Sequence, residues 1–399
     1  MKILIISAKI PMPDRASGDL RFFTLLDQLR DLSDLTICAH ALDQQRHEIG
    51  TKETNKYLNL LKKTNIQLGN KDVLSTLKEN SFDVVIFEFY HYFTRYIDYV
   101  RLYQPNTPVI IDSVDIHYKR FFSKAKLTKN PEDQLLAEIT KKAELEAYRD
   151  SDMVLCVTND DQSELNKELR DLPTFIIPNI HKLPKPTEKM GVLNKLLFVG
   201  SFDHEPNIDA MLYFCRDIMP LVLKQAPFVS LDIIGPNPPT ALLNLQNNAI
   251  KVHGRVEKLT PYYHKADIAL APLRFGAGMK GKVGEAMSYS LPIVCSSIGA
   301  EGFGVSHGNQ LLIADDPDSF SLAILSFINR PEFAHKIGQT GYRFVRDNYS
   351  IDSNKVRLAK LMILINQLSP IILPFHKRLL LKLNDIYERH LGWRFTKHD

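Results

Sequence analysis

The stretch RFGAGMKGKVGEAMSYSLPIV at positions 274–294 crowds Gly276, Gly278 and Gly281 together with Lys280 and Lys282, and a single acid, Glu285, follows. Glycine lets a backbone approach a ligand closely and take positive φ. The two lysines add positive charge. A helix starting near Lys282 points its free N–H groups and the positive end of its dipole back at the loop. These features together favour an anion, and a phosphate or diphosphate fits best. Glu285, one turn into the helix, can accept two hydrogen bonds from a vicinal diol such as a ribose. Phosphate beside diol reads as a nucleotide. The pattern matches neither standard glycine-rich nucleotide fingerprint. The alternative is a solvated surface loop in which Glu285 is merely a favourable first-turn acid.

Further candidates sit just after apolar runs. Gly18 and Arg21 follow KILIIS and its loop, Glu88 ends DVVIFE, and Asp112, Asp115 and His117 lie in IIDSVDIHYKR. Ser201 and His204 lie in GSFDHEPN, and Arg255 in the HGRVEKL turn. Arg21, on a first helical turn, is placed to meet an anion, or else to form a solvent salt bridge. Asp112 and Asp115 also suit a turn cap. No DxD-like acid cluster falls in a convincing loop, and no His/Cys spacing suits a metal, so neither metal nor other cofactor is expected.

The elements that must position these residues alternate. KILIIS, LTICA, DVVIFE, PVIIDS, DMVLCVT and TFIIP read as strands separated by stretches of helical pattern or length. After the proline-bearing linker PNIHKLPKPTEKMGVLNK the alternation restarts with LLFVGS, VSLDIIG, IKVHG, DIALAPL and LPIVCS. The stretch DLRFFTLLDQLRDL carries Leu20, Phe23, Leu26 and Leu29 at helical spacing, with Ser17 as an N-cap. Such alternation implies α/β architecture: two parallel-sheet domains, 1–185 and 186–348, facing a cleft, with C-terminal helices over 349–399. Ligands of such sheets sit beyond the carboxyl ends of the strands. In the tail, FHKRLLLKLNDIYERHLGWRF places Phe375, Leu379, Leu383, Ile386 and Tyr387 on one stripe, with Lys377, Arg378, Lys382 and Arg389 off it. That helix either docks back on the first domain or lies on a membrane surface.

Totals narrow the class. With 399 residues, two domains are the sensible expectation. A net charge of +4 with interspersed signs argues against bulk nucleic-acid binding. Cys38, Cys156, Cys215 and Cys295 are far apart and read as small core residues in a reducing compartment. MKILIISAKIPMP reads as a first strand, not a signal peptide. No run approaches the roughly 18 apolar residues of a membrane span. The expected location is cytoplasmic, at the inner face of a membrane if the tail binds lipid.

The ordered blocks LLFVGSFDHEPNIDAMLYF, DIIGPNPP and IKVHGRVEKLTPYYHKADIALAPLRFGAGMKGKVGEAMSYSLPIVCSSIGAEGF resemble the retaining, nucleotide-sugar-dependent glycosyltransferases of family four (glycosyl transferases group 1). SDMVLCVTNDDQSEL followed by IIPNI resembles the segment leading to that family's interdomain hinge. The resemblance implies the GT-B fold, with its two Rossmann-like domains. It also implies transfer of a sugar from a nucleoside-diphosphate donor to an acceptor hydroxyl on a glycan or lipid-linked acceptor, with no metal. Glu285 matches the second glutamate of the family's acid pair, which holds the donor ribose. The position eight residues earlier, where the first glutamate belongs, is Ala277. Backbone N–H groups of Gly276 to Gly278 are then expected to take over part of its task. Where many members carry an Arg and a Lys after the first strand of the second domain, this chain has only His204; Lys280 and Lys282, with Arg274, are the substitutes. Ser17-Gly18 resembles the glycine loop under the donor phosphates, and Arg255 lies where members hold the base. His117, with Asp115, resembles a histidine loop near the transferred sugar; a helix-start role is the alternative. Two rival functions share the architecture, a sugar-nucleotide 2-epimerase and a non-catalytic nucleotide-sugar binding protein.

Overall fold

Continuous Val, Ile and Leu runs suit strands covered on both faces, and the computed structural model places them in two parallel sheets. It describes residues 1–15, 17–69, 72–186 and 191–391, except the side chains of Ser17 and 386–391. The first sheet holds β1 (Lys2–Ser7), β2 (Asp34–Ala39), β3 (Gln67–Leu68), β4 (Val84–Glu88), β5 (Val109–Asp112), β6 (Met153–Cys156) and β7 (Thr174–Ile176). Its order is β3-β2-β1-β4-β5-β6-β7. The second holds β8 (Lys195–Val199), β9 (Ser230–Ile234), β10 (Ile250–Gly254), β11 (Ile268–Ala271), β12 (Ile293–Cys295) and β13 (Leu312–Ile313), in the order β10-β9-β8-β11-β12-β13. Every expected strand is present. The two-residue β3 and β13 are too short to carry a sequence pattern.

Strand order reverses direction between β1 and β4 in the first lobe and between β8 and β11 in the second. Those switch points open crevices at the carboxyl ends of the strands, where ligands of such sheets bind. Each sheet has a core on both faces, built in the first lobe around Ile5, Leu26 and Ile86 on one side and Leu4, Phe87 and Val154 on the other. The second lobe repeats this with Phe198, Ile233 and Phe320 opposite Leu197, Ile293 and Phe303.

The helices that bear on the site are α1 (Ser17–Leu29), α2 (Tyr90–Tyr103), α3 (His117–Thr128), α4 (Pro131–Arg149), α5 (Glu205–Tyr213), α6 (Gly281–Ser288), α7 (Pro331–Tyr349), α8 (Ile351–Ile365) and α9 (Phe375–Leu391). In α1 the buried positions are Arg21, Phe22, Thr24, Leu25, Leu26, Gln28 and Leu29, while Leu20 and Phe23 are half-buried. The helix is rotated from the expected stripe because Arg21 turns inward. The proposed Ser17 cap rests on a side chain outside the described residues.

The chain crosses between lobes twice, and the crossings meet. His181 N–H donates to Tyr349 O at 2.8 Å, and His181 forms a parallel bridge with Ser350. Beyond this point α8 returns to the first lobe. Leu358, Leu361 and Ile365 enter that core, Gln28 Nε2 donates to Ile351 O at 2.7 Å, and Asn354 Nδ2 donates to Gln28 Oε1 at 2.6 Å.

Helix α9 docks on the first lobe, but not through its apolar stripe. Its stripe of Phe375, Leu379 and Leu383 does not pack on the first lobe but faces outward. The helix is anchored instead by the half-buried Leu381 and by polar ties, Lys377 Nζ to Asp98 at 2.9 Å and Lys78 Nζ to Asp385 at 2.8 Å. The side chains of Ile386, Tyr387 and Arg389 lie outside the described residues.

Candidate active site

The glycine loop runs from the end of β11 to the start of α6 and is gripped from the first lobe. Gly276 (φ 149°) donates its N–H to Ser123 Oγ on α3 at 3.2 Å. Gly278 (φ 66°) lies so close to the β5 loop that a Cβ there would stand 3.1 Å from Asp115 Cβ. Asn179 Nδ2, in the linker, donates to Met279 O at 3.1 Å. Positive φ and close approach both require glycine at Gly278.

Two lysines leave this loop toward buried positions. Lys280 Nζ donates to Gly278 O at 2.5 Å and meets Glu301 Oε2 at 3.1 Å. Burial pushes its pKa down, against the pull of Glu301 and Asp115. Lys282 Nζ donates to Asn207 Oδ1 at 2.5 Å and lies 5.1 Å from the Phe198 ring centroid. Burial, then repulsion from Lys280, pushes its pKa down to about 7. His204, at the start of α5, faces the same space. Burial lowers its pKa, with Arg120 and Lys282 adding to the effect and Asp115 and Asp203 opposing it. Three basic groups from two loops thus share a recess with too little counter-charge. Removing charge from water without a partner is costly, and an anion entering the recess would relieve that cost.

One turn further along α6, burial pushes the Glu285 carboxyl up to about 7, with the Tyr263 phenol pulling the other way. Here α6 also packs tightly against the linker: a Cβ at Gly284 would stand 2.2 Å from His181 Nε2.

The opposing rim comes from the first lobe. Asp115 Oδ2 accepts from Arg120 at 2.7 Å, and its Oδ1 lies 3.1 Å from His117 Nε2. Burial would raise this carboxyl, yet His117, Arg120 and Lys280 hold it below the ordinary range. The His117 N–H donates to Glu144 Oε1 at 3.1 Å, fixing the start of α3. The His117 ring lies against Phe89, Tyr90 and His91, at centroid distances of 5.5, 5.6 and 5.2 Å. Two residues here hold positive φ without being glycine, Phe89 (69°) and Val114 (59°). For a bulky or β-branched residue that is strained backbone, which concentrates at functional sites. Deeper in, burial drives the Glu88 carboxyl well up and raises Asp19 to about 6.

The structure brings Asp115 and His117 of the first lobe opposite His204, Gly276, Ala277, Gly278, Lys280 and Lys282 of the second, with Glu285 one turn further along α6. Five candidates behave otherwise. Arg21 is fully buried and does not face the cleft. It makes a bidentate pair with Asp112, at 2.8 and 3.0 Å, and donates to Ile177 O at 2.9 Å. Arg274 is held by Asp209 and stacks 4.8 Å from the Tyr213 ring centroid, so its charge is already matched on α5. Arg255 crosses the cleft to Asp14 at 3.2 Å and Glu53 at 3.5 Å. Ser201 Oγ donates to Asp203 at 2.9 Å. Gly18 has ordinary backbone angles and open space around it.

Sequence reasoning missed Asn207, which orients Lys282, and the α3 residues Lys119, Arg120 and Ser123. Lys119 joins Asp161 at 2.9 Å to Glu301 at 3.6 Å across the lobes. For Lys119 and Arg120 the signal was present as the KR that follows His117-Tyr118. Among the described residues, no group of three or more His, Cys, Asp or Glu is arranged to hold a metal.

Comparison with known proteins bears on this geometry. Residues 194–330 match the family model described as glycosyl transferases group 1. A protein of Klebsiella pneumoniae, described as an uncharacterized 44.6 kDa protein in the cps region, is 30% identical over 216 residues, covering 51% of this chain and 54% of that protein. The chain therefore spans about half the length of this curated relative. Sucrose-phosphate synthase from Thermosynechococcus elongatus superposes with a TM-score of 0.67 at 12% identity, over 92% of this chain and 100% of that one. Anabaena HepE in complex with UDP and glucose superposes with a TM-score of 0.68 at 12% identity, over 91% and 99%. At such identities the likeness shows the fold, which is GT-B.

Proposed function

We propose that this chain, whose second lobe is a glycosyl transferases group 1 domain, moves a sugar from a nucleoside-diphosphate sugar to an acceptor hydroxyl. The carrying observation is the recess where Lys280, Lys282 and His204 crowd together with depressed basicity. A diphosphate supplies the missing counter-charge. Glu285 takes the ribose hydroxyls, and the turn around Arg255 borders the base. As the sugar–phosphate bond breaks, negative charge grows on the leaving oxygens. Lysines and loop N–H groups fixed beforehand stabilise that charge more in the transition state than in the ground state. The family's first glutamate is replaced by Ala277, and Asp115, pressed against Gly278 from the other lobe, supplies a carboxylate near that place. His117 stands beside it, against the transferred sugar. The acceptor enters from the first-lobe side. Retention and independence from metal follow from the family. The Klebsiella relative's place in a cps region supports a role in surface polysaccharide or glycolipid assembly.

A thermal-shift panel of UDP-, GDP-, dTDP- and ADP-sugars tests the donor site. A ligand at 100 times its Kd adds about 2.7 kcal/mol of stability, and no shift with any of them removes the proposal. Incubation with donor alone separates the rivals: an epimerised sugar without acceptor indicates an isomerase. A donor that binds but is neither hydrolysed nor transferred indicates a binding protein.

A further inference from the structure

Helix α9 is mounted with its polar side in and its apolar side out. The inner positions are Arg378, Leu381 and Asp385, the last paired with Lys78 at 2.8 Å. On the outer side Phe375 is 81% exposed, Leu379 47%, Leu380 60% and Leu383 53%, and just upstream Ile372 is 66% exposed. A run of outward apolar side chains on one helix marks an interaction surface, not scatter.

Charge identifies the partner. From Ile371 to Leu383 the chain carries Lys377, Arg378 and Lys382 and no acid. Asp385 is paired with Lys78 of the first lobe, Asp98 pairs with Lys377 of the helix itself, and Lys382 is exposed. Among the described residues, no helix is long and apolar enough to cross a membrane. An apolar face flanked by the exposed Lys382 and the half-exposed Lys377 matches the interface of an anionic bilayer, where the apolar side chains enter the acyl boundary and Lys382 meets headgroups. A protein partner would have to supply both an apolar groove and an acidic rim.

We propose that residues 371–383 dock this protein onto anionic lipid as a surface-lying helix. The contact lies away from the catalytic recess. Ile371 N–H donates to Asp152 at 2.7 Å, and Asp152 precedes β6, at the strand edge opposite the cleft. Docking therefore leaves the mouth open and concentrates the enzyme at a membrane without shaping its site.

Co-sedimentation of the full chain with vesicles tests this. Vesicles of phosphatidylcholine with phosphatidylglycerol should pellet the protein, with binding that weakens as salt rises, and pure phosphatidylcholine should not. Leu379→Ser with Leu383→Ser should cut partitioning at least about tenfold, and Lys382→Glu about fivefold. All of these side chains point outward, so the melting temperature should stay at the wild-type value, which shows that the loss is not unfolding. Absence of vesicle binding overturns the proposal, as does equal binding to neutral and anionic vesicles. Concentration-dependent dimerisation that the leucine pair abolishes also overturns it and assigns the face to a second copy of the chain.

Discussion

The two rims of the cleft handle charge in opposite ways. On the first lobe the ion pairs near the cleft are closed: Arg21 is spent on Asp112, and Asp115 is shared by Arg120 and His117. Its unspent groups, Glu88 and Asp19, are acids whose burial favours the protonated form. On the second lobe the lysines of the recess are short of counter-charge. Lys282 has a neutral amide as its partner, and Lys280 has one carboxylate and a carbonyl. A rim with matched charge gains nothing from an anion; a rim with unmatched cations gains a great deal. Under the proposed function, this contrast assigns the donor's phosphates to the second lobe and leaves the first lobe's acids and aromatic rings for a hydroxylated acceptor.

Arg21 breaks that comparison most severely if it has been misjudged. Truncating one partner of a buried ion pair strands the other and costs about 3–5 kcal/mol. Arg21→Ala should thus lower stability in denaturant titrations by about that amount, and Arg21→Met combined with Asp112→Leu should recover most of it. The folded fraction of the recovered variant should bind donor with unchanged affinity. A variant that keeps its stability yet loses donor binding would return Arg21 to the phosphate site.

The lysines come next. Lys280→Ala with Lys282→Ala removes pre-positioned charge from the leaving group and should lower kcat/KM about 10²–10³-fold, by analogy with deleting transition-state donors, as read from nucleoside diphosphate release. Turnover at the wild-type rate would remove the assignment. Glu285→Ala deletes charge-assisted hydrogen bonds of about 1.5–3 kcal/mol each and should raise the donor KM about tenfold or more.

The same two side chains set a pH signature in the protein without donor. Glu285 has a folded pKa of about 7, raised from an ordinary 4.5, so its favourable contribution is complete below 4.5 and lost as pH rises to 7. Lys282 has a folded pKa of about 7, lowered from 10.5, so its contribution is complete above 10.5 and lost as pH falls to 7. Both losses coincide near neutrality. Stability against pH should therefore dip around pH 7, and Glu285→Gln and Lys282→Met should each shallow the dip by raising the melting temperature there. Saturating donor should also fill it, by matching the lysine. A flat profile in the wild type would mean that neither group is buried as described.

Much of this was legible beforehand, and what escaped did so for physical reasons. Strands buried on both faces write themselves as unbroken apolar runs, so the longer strands of both sheets, such as β1 with its KILIIS, and the linker between them could be read directly. The glycine loop was legible because positive φ at Gly278 and a close neighbour at Asp115 leave few residue choices. Arg21 was not. A lone arginine after a glycine looks the same whether its partner is a phosphate or an aspartate 91 positions away. The stripe on α9 was seen, but which way it faced was not, because periodicity fixes a helix's apolar side and leaves open what covers it. Asn207 was hidden for a third reason: an amide that orients a lysine has no pattern of its own.

Arg255 offers the smallest effect and the finest distinction. Its guanidinium meets Asp14 at 3.2 Å and Glu53 at 3.5 Å across the cleft, and all three side chains are partly exposed. Solvent-screened pairs of this kind contribute less than about 1 kcal/mol. If Arg255 only latches the lobes, Arg255→Ala should shift the donor KM less than about fivefold, equally for all nucleotides, with kcat unchanged. The wild-type KM should then drift toward the variant's as salt rises, because screening weakens the latch without touching the buried lysines. If the side chain instead reads the base, the loss should differ between UDP- and GDP-sugars and resist salt. The two outcomes decide whether closure of the lobes and recognition of the nucleotide are separate tasks or one.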